Sequence, residues 1–412
     1  MLGQSISHCW IRLATLSKSP RTNRELNMKK VLFIAAKANM IQQFNIRNIL
    51  MTQTLGMEVH VACDFIDYGS MDEAETNKLI HWLDEVGVVR HQVPFGRGIG
   101  SVQGNRESAK ALAAVLDDGN TSDWAFVHCH SPLGGIIGRY VAHKFKIPTI
   151  YTAHGFQFFK GGPKKNWVFY PVEKAFSYWT NDLITINHRD YRLAKKHFKK
   201  PTVDYIAGVG IDVEGALAVP TTEKQTIREN ARAALGLSAD DYVLTTIGEL
   251  NDNKNQIVVL EAMAKLKQPQ MKLLVAGVGP NLTMLQEKAT ELGIAEQVQF
   301  LGYRADITNI HYAADLNVFP SLREGLGLGG LESLVDGNYV IGSQNTGMAD
   351  YLTSEDLGML VNVTDVDAIT QAIAQVYREK KVPALEKHRT ELMKFDDSSV
   401  DANMLKIYKK YL

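Results

Sequence analysis

The chain has 412 residues, 45% hydrophobic and 22% charged, and its 45 lysines and arginines equal its 45 aspartates and glutamates. That length exceeds one ordinary core and implies two domains of common size, and the balanced charge excludes a nucleic-acid partner of the usual strongly basic kind. Three widely spaced cysteines (Cys9, Cys63, Cys129) fit a reducing cytoplasm and no disulfide scaffold, and no run reaches the roughly 18 apolar residues of a membrane-spanning helix.

Residues 1–27 lack periodicity, and Arg12 interrupts their only apolar run, which makes a poor signal peptide. Met28-Lys-Lys then leads directly into VLFIAA. Residues 1–27 are therefore expected to be an extension outside the fold, disordered or a consequence of start-site choice, with a membrane-associating arm as the alternative. From Met28 onward short apolar runs at Val31–Ala35, Val59–Ala62, Val88–Val93, Ala125–His128, Pro148–Thr152, Leu183–Ile186 and Val203–Ile206 read as strands. Amphipathic segments such as Met40–Thr54, Glu73–Val86 and Gly134–Phe145 separate them and read as helices. Glu214–Asp240 has no apolar run and holds a linker and one helix. Strand–helix alternation then restarts at Tyr242–Gly248, Lys272–Gly277, Val298–Gly302, Leu316–Pro320, Tyr339–Ser343 and Leu357–Val361. The expected fold class is α/β: two doubly wound, Rossmann-like domains at 28–213 and 214–395, facing each other across a cleft at the carboxyl ends of their strands. A last helix within 396–412 is expected to pack back on the first domain.

The most informative segment is Ser321–Gly342, SLREGLGLGGLESLVDGNYVIG, where Glu324 and Glu332 are separated by seven residues, most of them glycine or leucine. A strand leads in and a short helix follows, so unpaired N–H groups and a positive helix end meet at a bare backbone turn, an arrangement that suits phosphate. Carboxylates beside a phosphate site accept hydrogen bonds from hydroxyls, and a sugar nucleotide carries hydroxyls on both its sugar and its ribose. A purely structural glycine-rich turn is the competing account of this segment.

In order, IGELNDNKNQ (247–256), LLVAGVGP (273–280), FLGYRADI (300–307), FPSLREGLGLGGLES (319–333) and GMADYL (347–352) resemble the retaining glycosyltransferases of family 4, which have the GT-B fold. In the first half HCHSPLGG (128–135), YTAHGFQFFKG (151–161), NWVFYPVEKAFSYWTNDLITIN (166–187) and GVGID (208–212) resemble the bacterial branch that builds exopolysaccharides, capsules and lipid-linked glycans. The resemblance implies an acceptor-side first domain and a second domain that binds the nucleotide sugar. It places Glu324 at the donor sugar near the reacting carbon and Glu332 on the ribose hydroxyls. The backbone N–H groups of Gly325, Leu326 and Gly327 then approach the sugar and diphosphate, where a Cβ would obstruct. Lys254 is expected to hold the diphosphate, supplying the cation that a metal-free departure of UDP needs. The family usually has an arginine after the glycine matching Gly248, a donor-site position, and this chain has Glu249. His154 is expected near the donor sugar and phosphate, and Tyr303 and Arg304 beside the nucleobase. The family's glycine-rich first loop is absent, so Lys37 is a candidate to supply the charge of the missing amides. Phe156, Lys160 and Lys164 complete the acceptor-side set.

Two further patterns compete with this reading. His128-Cys129-His130 resembles a metal cluster, but strand alternation puts Cys129 opposite the histidines and no further ligand set is apparent. Asp365-Val-Asp367 resembles the Asp-x-Asp of metal-dependent transferases, yet it precedes an apolar-periodic run and reads better as a helix cap. No metal or other cofactor is expected. The basic run Tyr191–Lys200, with Lys160, Lys164, Lys165 and Trp167, is either a solvated face or a contact for an anionic bilayer or lipid diphosphate.

Together these features imply a cytoplasmic transferase, peripheral at the inner face of the membrane. It would be a metal-independent, retaining enzyme that moves a hexose or N-acetylhexosamine from a UDP-sugar to a polyprenyl-diphosphate-linked or polysaccharide acceptor. A UDP-sugar 2-epimerase of the same architecture and a non-catalytic sugar-nucleotide-binding partner subunit are the alternatives.

Overall fold

The computed structural model describes residues 28–117, 121–130 and 132–412. They form two compact units. One comprises residues up to Val209 together with Ser398–Leu412, and the other runs from Gly210 to Asp397.

The first unit is built on a seven-stranded parallel sheet. Its strands are β1 (Lys30–Lys37), β2 (Glu58–Asp64), β3 (Val89–Gln92), β4 (Trp124–Cys129), β5 (Thr149–Ala153), β6 (Asp182–Thr185) and β7 (Thr202–Tyr205), in the order β3-β2-β1-β4-β5-β6-β7. Nearly every residue of β1, β4 and β5 is buried, as a sheet covered on both faces requires. The segment expected as one helix over Met40–Thr54 is two, Ala38–Phe44 and Ile46–Thr54, divided at Asn45. The Asn45 amide is fully buried and donates to the Met40 carbonyl at 3.2 Å, a side-chain bond that competes with the helical ladder. A helix over Val102–Leu116, capped by Ser101, lies between β3 and β4.

Residues 398–412 complete this first unit. Tyr408, fully buried on the helix Asp397–Tyr408, stacks on Phe126 with ring centroids 5.3 Å apart and shares a 3.0 Å hydrogen bond with Nδ1 of His128. Lys410 bridges to Asp182 at 2.6 Å and to Asp204 at 3.2 Å.

The second unit holds six parallel strands, β8 (Tyr242–Ile247), β9 (Met271–Ala276), β10 (Val298–Gly302), β11 (Leu316–Phe319), β12 (Tyr339–Ser343) and β13 (Gly358–Val361), in the order β10-β9-β8-β11-β12-β13. Before β8 the chain forms two helices, Val213–Ala218 and Thr221–Ala234, where one was expected. The two ends of the unit are joined to each other: Ile211 N–H donates to the Phe395 carbonyl at 3.1 Å, and Asp397 N–H to the Ile211 carbonyl at 2.9 Å.

Strand order reverses between β1 and β4 in one sheet and between β8 and β11 in the other. At such a reversal the flanking connections leave toward opposite faces and open a crevice beyond the carboxyl ends of the strands, where ligands of open α/β sheets bind.

Candidate active site

In the second unit the loops that follow β8 and β11 meet at this crevice. The first, Gly248–Gln256, is held by its own amides. Asn251 Oδ1 accepts from Lys254 N–H at 3.1 Å, and Gln256 Nε2 donates to the Glu249 carbonyl at 3.0 Å. Asn255, in the left-handed conformation at φ 55°, donates to the Val363 carbonyl at 2.8 Å. The two loops are bonded to each other, Leu322 N–H to the Asn253 carbonyl at 2.8 Å and Asn253 Nδ2 to the Arg323 carbonyl at 3.0 Å. This zipper sets Lys254 Nζ 2.5 Å from Glu324 Oε1, with the ammonium 4.9 Å from the Phe319 ring centroid. Two residues seventy positions apart, both assigned to the donor, thus form an ion pair.

Glu324 leads into Gly325–Gly327 and the helix Leu328–Asp336. Gly327 has φ 82°, and a Cβ there would stand 2.9 Å from Met348 Cγ. A Cβ on Gly347 would meet the Gly325 carbonyl oxygen at 1.8 Å, so the turn of GMADYL packs backbone to backbone against the glutamate loop. Tyr351 donates to the Gly327 carbonyl at 3.0 Å and fixes the turn from below. No side chain caps the helix and no acid stands in its first turn, which leaves its positive end to a ligand. The Leu326 side chain is buried, so only its backbone can serve a donor. Glu332, partly buried in this helix, is raised to about 8 by burial, with the Asp336 charge adding to the effect. Gly248 is buried and its carbonyl oxygen would lie 1.9 Å from a Cβ on Gly277, so the turns after β8 and β9 cross at bare backbone. Glu249 beside it is exposed. Tyr303 is largely exposed. Arg304, expected beside the nucleobase, is held in a bidentate pair with Asp306 at 2.7 Å on both arms.

In the first unit His154 follows β5 and His130 follows β4, and His130 Nδ1 and His154 Nε2 lie 3.0 Å apart. His130 Nε2 and His154 Nδ1 are buried with no hydrogen-bond partner. Burial lowers His154 to about 4 and His130 well below the usual histidine range. Burial thus favours the neutral imidazole of His154, which can hydrogen-bond without carrying a fixed charge.

Two first-unit expectations are corrected. Lys37 donates to Asp64 Oδ2 at 3.2 Å, Asp67 Oδ2 at 2.7 Å and the Phe95 carbonyl at 2.7 Å. All three of its donors are engaged, so it cannot replace the amides of the missing glycine loop. Phe156 is 3% exposed and stacks on Phe158 at 5.2 Å. It is a core residue, because the chain after β5 folds inward and buries its aromatic run. Lys160 and Lys164 are exposed and carry no ion pair among the described residues.

The two metal-like patterns have internal partners. His128 Nε2 meets Thr152 Oγ1 at 2.8 Å and its Nδ1 meets Tyr408, while burial lowers the ring to about 3. Asp365 caps the helix Val366–Glu379 by accepting from Asp367 N–H at 2.9 Å and Ala368 N–H at 3.2 Å, and Asp367 pairs with Lys265 at 2.5 Å. Sequence reasoning missed His130 and Asn253. The density of amide side chains in Asn251–Gln256 was the available signal for Asn253, since such side chains organise turns.

Comparison with known proteins agrees with these features. Residues 227–392 match the family model "Glycosyl transferases group 1" and residues 51–197 match "Glycosyl transferase 4-like domain". The Bacillus subtilis protein named glycosyltransferase EpsD is 32% identical over 93% of this chain and 97% of its own length. The Escherichia coli UDP-Gal:alpha-D-GlcNAc-diphosphoundecaprenol alpha-1,3-galactosyltransferase is 28% identical over 68% of this chain and 73% of its own. Among solved structures, Anabaena Alr3699/HepE in complex with UDP superposes with a TM-score of 0.71 at 15% identity, covering 93% of this chain and all of that one. The lipopolysaccharide glycosyltransferase WaaG superposes at 0.60 and 17% identity, over 92% of this chain and 94% of its own. With both units doubly wound and both family models matched, the chain belongs to the group 1, or family 4, glycosyltransferases of the GT-B fold and is a glycosyltransferase.

Proposed function

We propose that this enzyme transfers a hexosyl or N-acetylhexosaminyl unit from a UDP-sugar, with retention of configuration and without a metal, to a polyprenyl-diphosphate-linked acceptor in exopolysaccharide or capsule synthesis. The observation that carries the reading is the Lys254–Glu324 pair beside the glycine turn that opens the helix Leu328–Asp336: a cation, a carboxylate and a helix start that no side chain caps meet at one crevice. Diphosphate suits the cation and the helix end, and sugar hydroxyls suit the carboxylate. The lipid-linked acceptor is supported by the E. coli relative, whose name specifies a diphosphoundecaprenol substrate.

The acceptor hydroxyl attacks the anomeric carbon on the face that the diphosphate leaves. The new C1–O bond forms as the old one breaks, and the hydroxyl proton passes to the departing phosphate oxygen. Lys254 and the helix end stabilise the charge growing on UDP, and the Glu324 carboxylate stabilises the positive charge growing at the anomeric carbon. Metal independence is supported by the engagement of Asp365 and Asp367 as a cap and an ion pair.

Among the described residues no helix is long and apolar enough to cross a membrane. A peripheral location at the inner membrane face fits exposed Lys160, Lys164, Lys165, Trp167 and Val168 in the connection after β5. The basic run ending at Lys200 belongs elsewhere. The helix His188–His197 runs back from the carboxyl edge of the sheet, so Lys195 to Lys200 sit at the opposite edge, about 15 Å away at 1.5 Å per residue.

The decisive assay is UDP release across a panel of UDP-sugars with a pool of lipid-linked acceptors, with and without EDTA. One donor should give acceptor-dependent release that EDTA leaves unchanged. Conversion of the donor without acceptor would instead identify an epimerase, and tight UDP binding with no release under any acceptor a non-catalytic subunit.

A further inference from the structure

Glu249 stands where the family resemblance expects an arginine, so a second cation for the donor diphosphate must come from elsewhere or be absent. Six loops leave the carboxyl edge of the second sheet: 248–256, 277–281, 303–306, 320–327, 344–350 and 362–365. Their sequences contain three basic residues, Lys254, Arg304 and Arg323. Lys254 faces Glu324 at 2.5 Å, and Arg304 is locked to Asp306. Arg323 is exposed, and among the described residues its guanidinium makes no hydrogen bond or ion pair.

Arg323 adjoins Glu324, and its carbonyl accepts the Asn253 amide at 3.0 Å while the N–H of Leu322 donates to the Asn253 carbonyl at 2.8 Å. Its backbone is thus bonded to the residue next to Lys254, at the β8–β11 crevice. The charges there do not balance a diphosphate without it. Lys254 and Glu324 cancel, exposed Glu249 adds a negative charge, and UDP brings about two more.

We propose that Arg323 is the second diphosphate-binding cation of this enzyme, taking the place of the arginine that Glu249 displaces; this rests on the reading of the donor as a UDP-sugar. A guanidinium offers two parallel N–H donors to two phosphate oxygens, a geometry that an ammonium cannot reproduce. Moving the cation to the glutamate loop puts it on the same strand of chain as the carboxylate that meets the sugar, so sugar and diphosphate are gripped by consecutive side chains.

The test is calorimetric titration of the full-length enzyme with UDP and, separately, with uridine, for wild type, Arg323→Ala, Arg323→Lys and Arg323→Ala combined with Glu249→Arg. UDP binding should weaken roughly 10- to 100-fold in Arg323→Ala and less in Arg323→Lys, with uridine binding unchanged. Restoring an arginine at position 249 should recover most of the UDP affinity. Thermal unfolding should match wild type, because among the described residues the side chain has no hydrogen bond or ion pair to lose. UDP binding within two-fold of wild type in Arg323→Ala, or equal loss of UDP and uridine binding, overturns the assignment while leaving the donor reading intact. A wild-type enzyme that does not bind UDP at all overturns the donor reading and this inference with it.

Discussion

Replacing Glu324 by glutamine keeps the volume of the side chain but removes the negative charge that faces Lys254 at 2.5 Å. The partners are 19% and 16% exposed, so the pair exceeds an open surface bridge yet is still screened by solvent. The ammonium stays charged and a glutamine can still accept from it, so what is lost is the ion pair's Coulomb attraction, about 1 kcal/mol for a solvent-screened pair, and the hold on Lys254 loosens by that amount. A diphosphate competes with Glu324 for that ammonium, and loosening the competitor should tighten UDP about five-fold. Turnover should move the other way, falling about 100-fold, because the lost carboxylate stabilises charge only as the anomeric carbon becomes positive. Lys254→Ala should weaken UDP binding, and in the double variant the tightening should vanish because no ammonium remains to be released. UDP titration of the four proteins with initial rates for the three variants closes the cycle. Weaker UDP binding in Glu324→Gln, or a tightening that persists without Lys254, would refute the competition.

Glu332→Gln should raise KM for the donor and leave kcat within a few-fold, since the ribose is unchanged through the reaction; a collapse of kcat at unaltered KM would remove Glu332 from the ribose. His128 and His130 have folded values far below their unfolded ones, so they contribute stability that is present above the unfolded value near 6.5 and lost as pH falls below it. At pH 5 the loss is about 2 kcal/mol for His128, and His130 shifts stability in the same direction; nitrogen-15 spectra should show both rings neutral from pH 8 to 5, and protonation near pH 6 in the folded protein would contradict the burial argument. Tyr408→Phe leaves His128 Nδ1 without its partner and should destabilise the first unit by about 1–3 kcal/mol in urea denaturation, whereas an unshifted midpoint would show the hydrogen bond to be energetically idle.

The central strands were legible because each is a short apolar run bounded by polar residues or glycine and buried on both sheet faces, whereas the edge strand β3, VRHQ, is largely exposed and shows in sequence only through the valines that flank it. The division at Asn45 was hidden, since a single buried amide overrides an otherwise continuous helical period. Lys254 and Glu324 were found through a family resemblance and their pairing was not, because it depends on a zipper between loops seventy residues apart. The ion pairs of Lys37 and Arg304 were hidden for a common reason. A basic residue at a strand end looks available in sequence, and only the fold shows that Asp64 and Asp67, or Asp306, already hold it.

The return of residues 398–412 to the first unit makes that unit discontinuous in the chain, and this has a kinetic consequence. His128 and Tyr408 are 280 residues apart, so forming their contact from an open chain closes a very long loop. If the segment Gly210–Asp397 folds first, the Ile211–Asp396 bridge holds its two ends side by side. The chain left to close then shortens to about 95 residues, which lowers the loop-closure cost by about 1 kcal/mol. During synthesis the order is reversed: the first sheet emerges early, and the face of Phe126 and His128 stays uncovered until Tyr408 has left the ribosome. The second unit therefore serves as an internal clamp that delivers the missing helix, and slow folding of that unit should leave the first one exposed to proteolysis at the surface Tyr408 will cover.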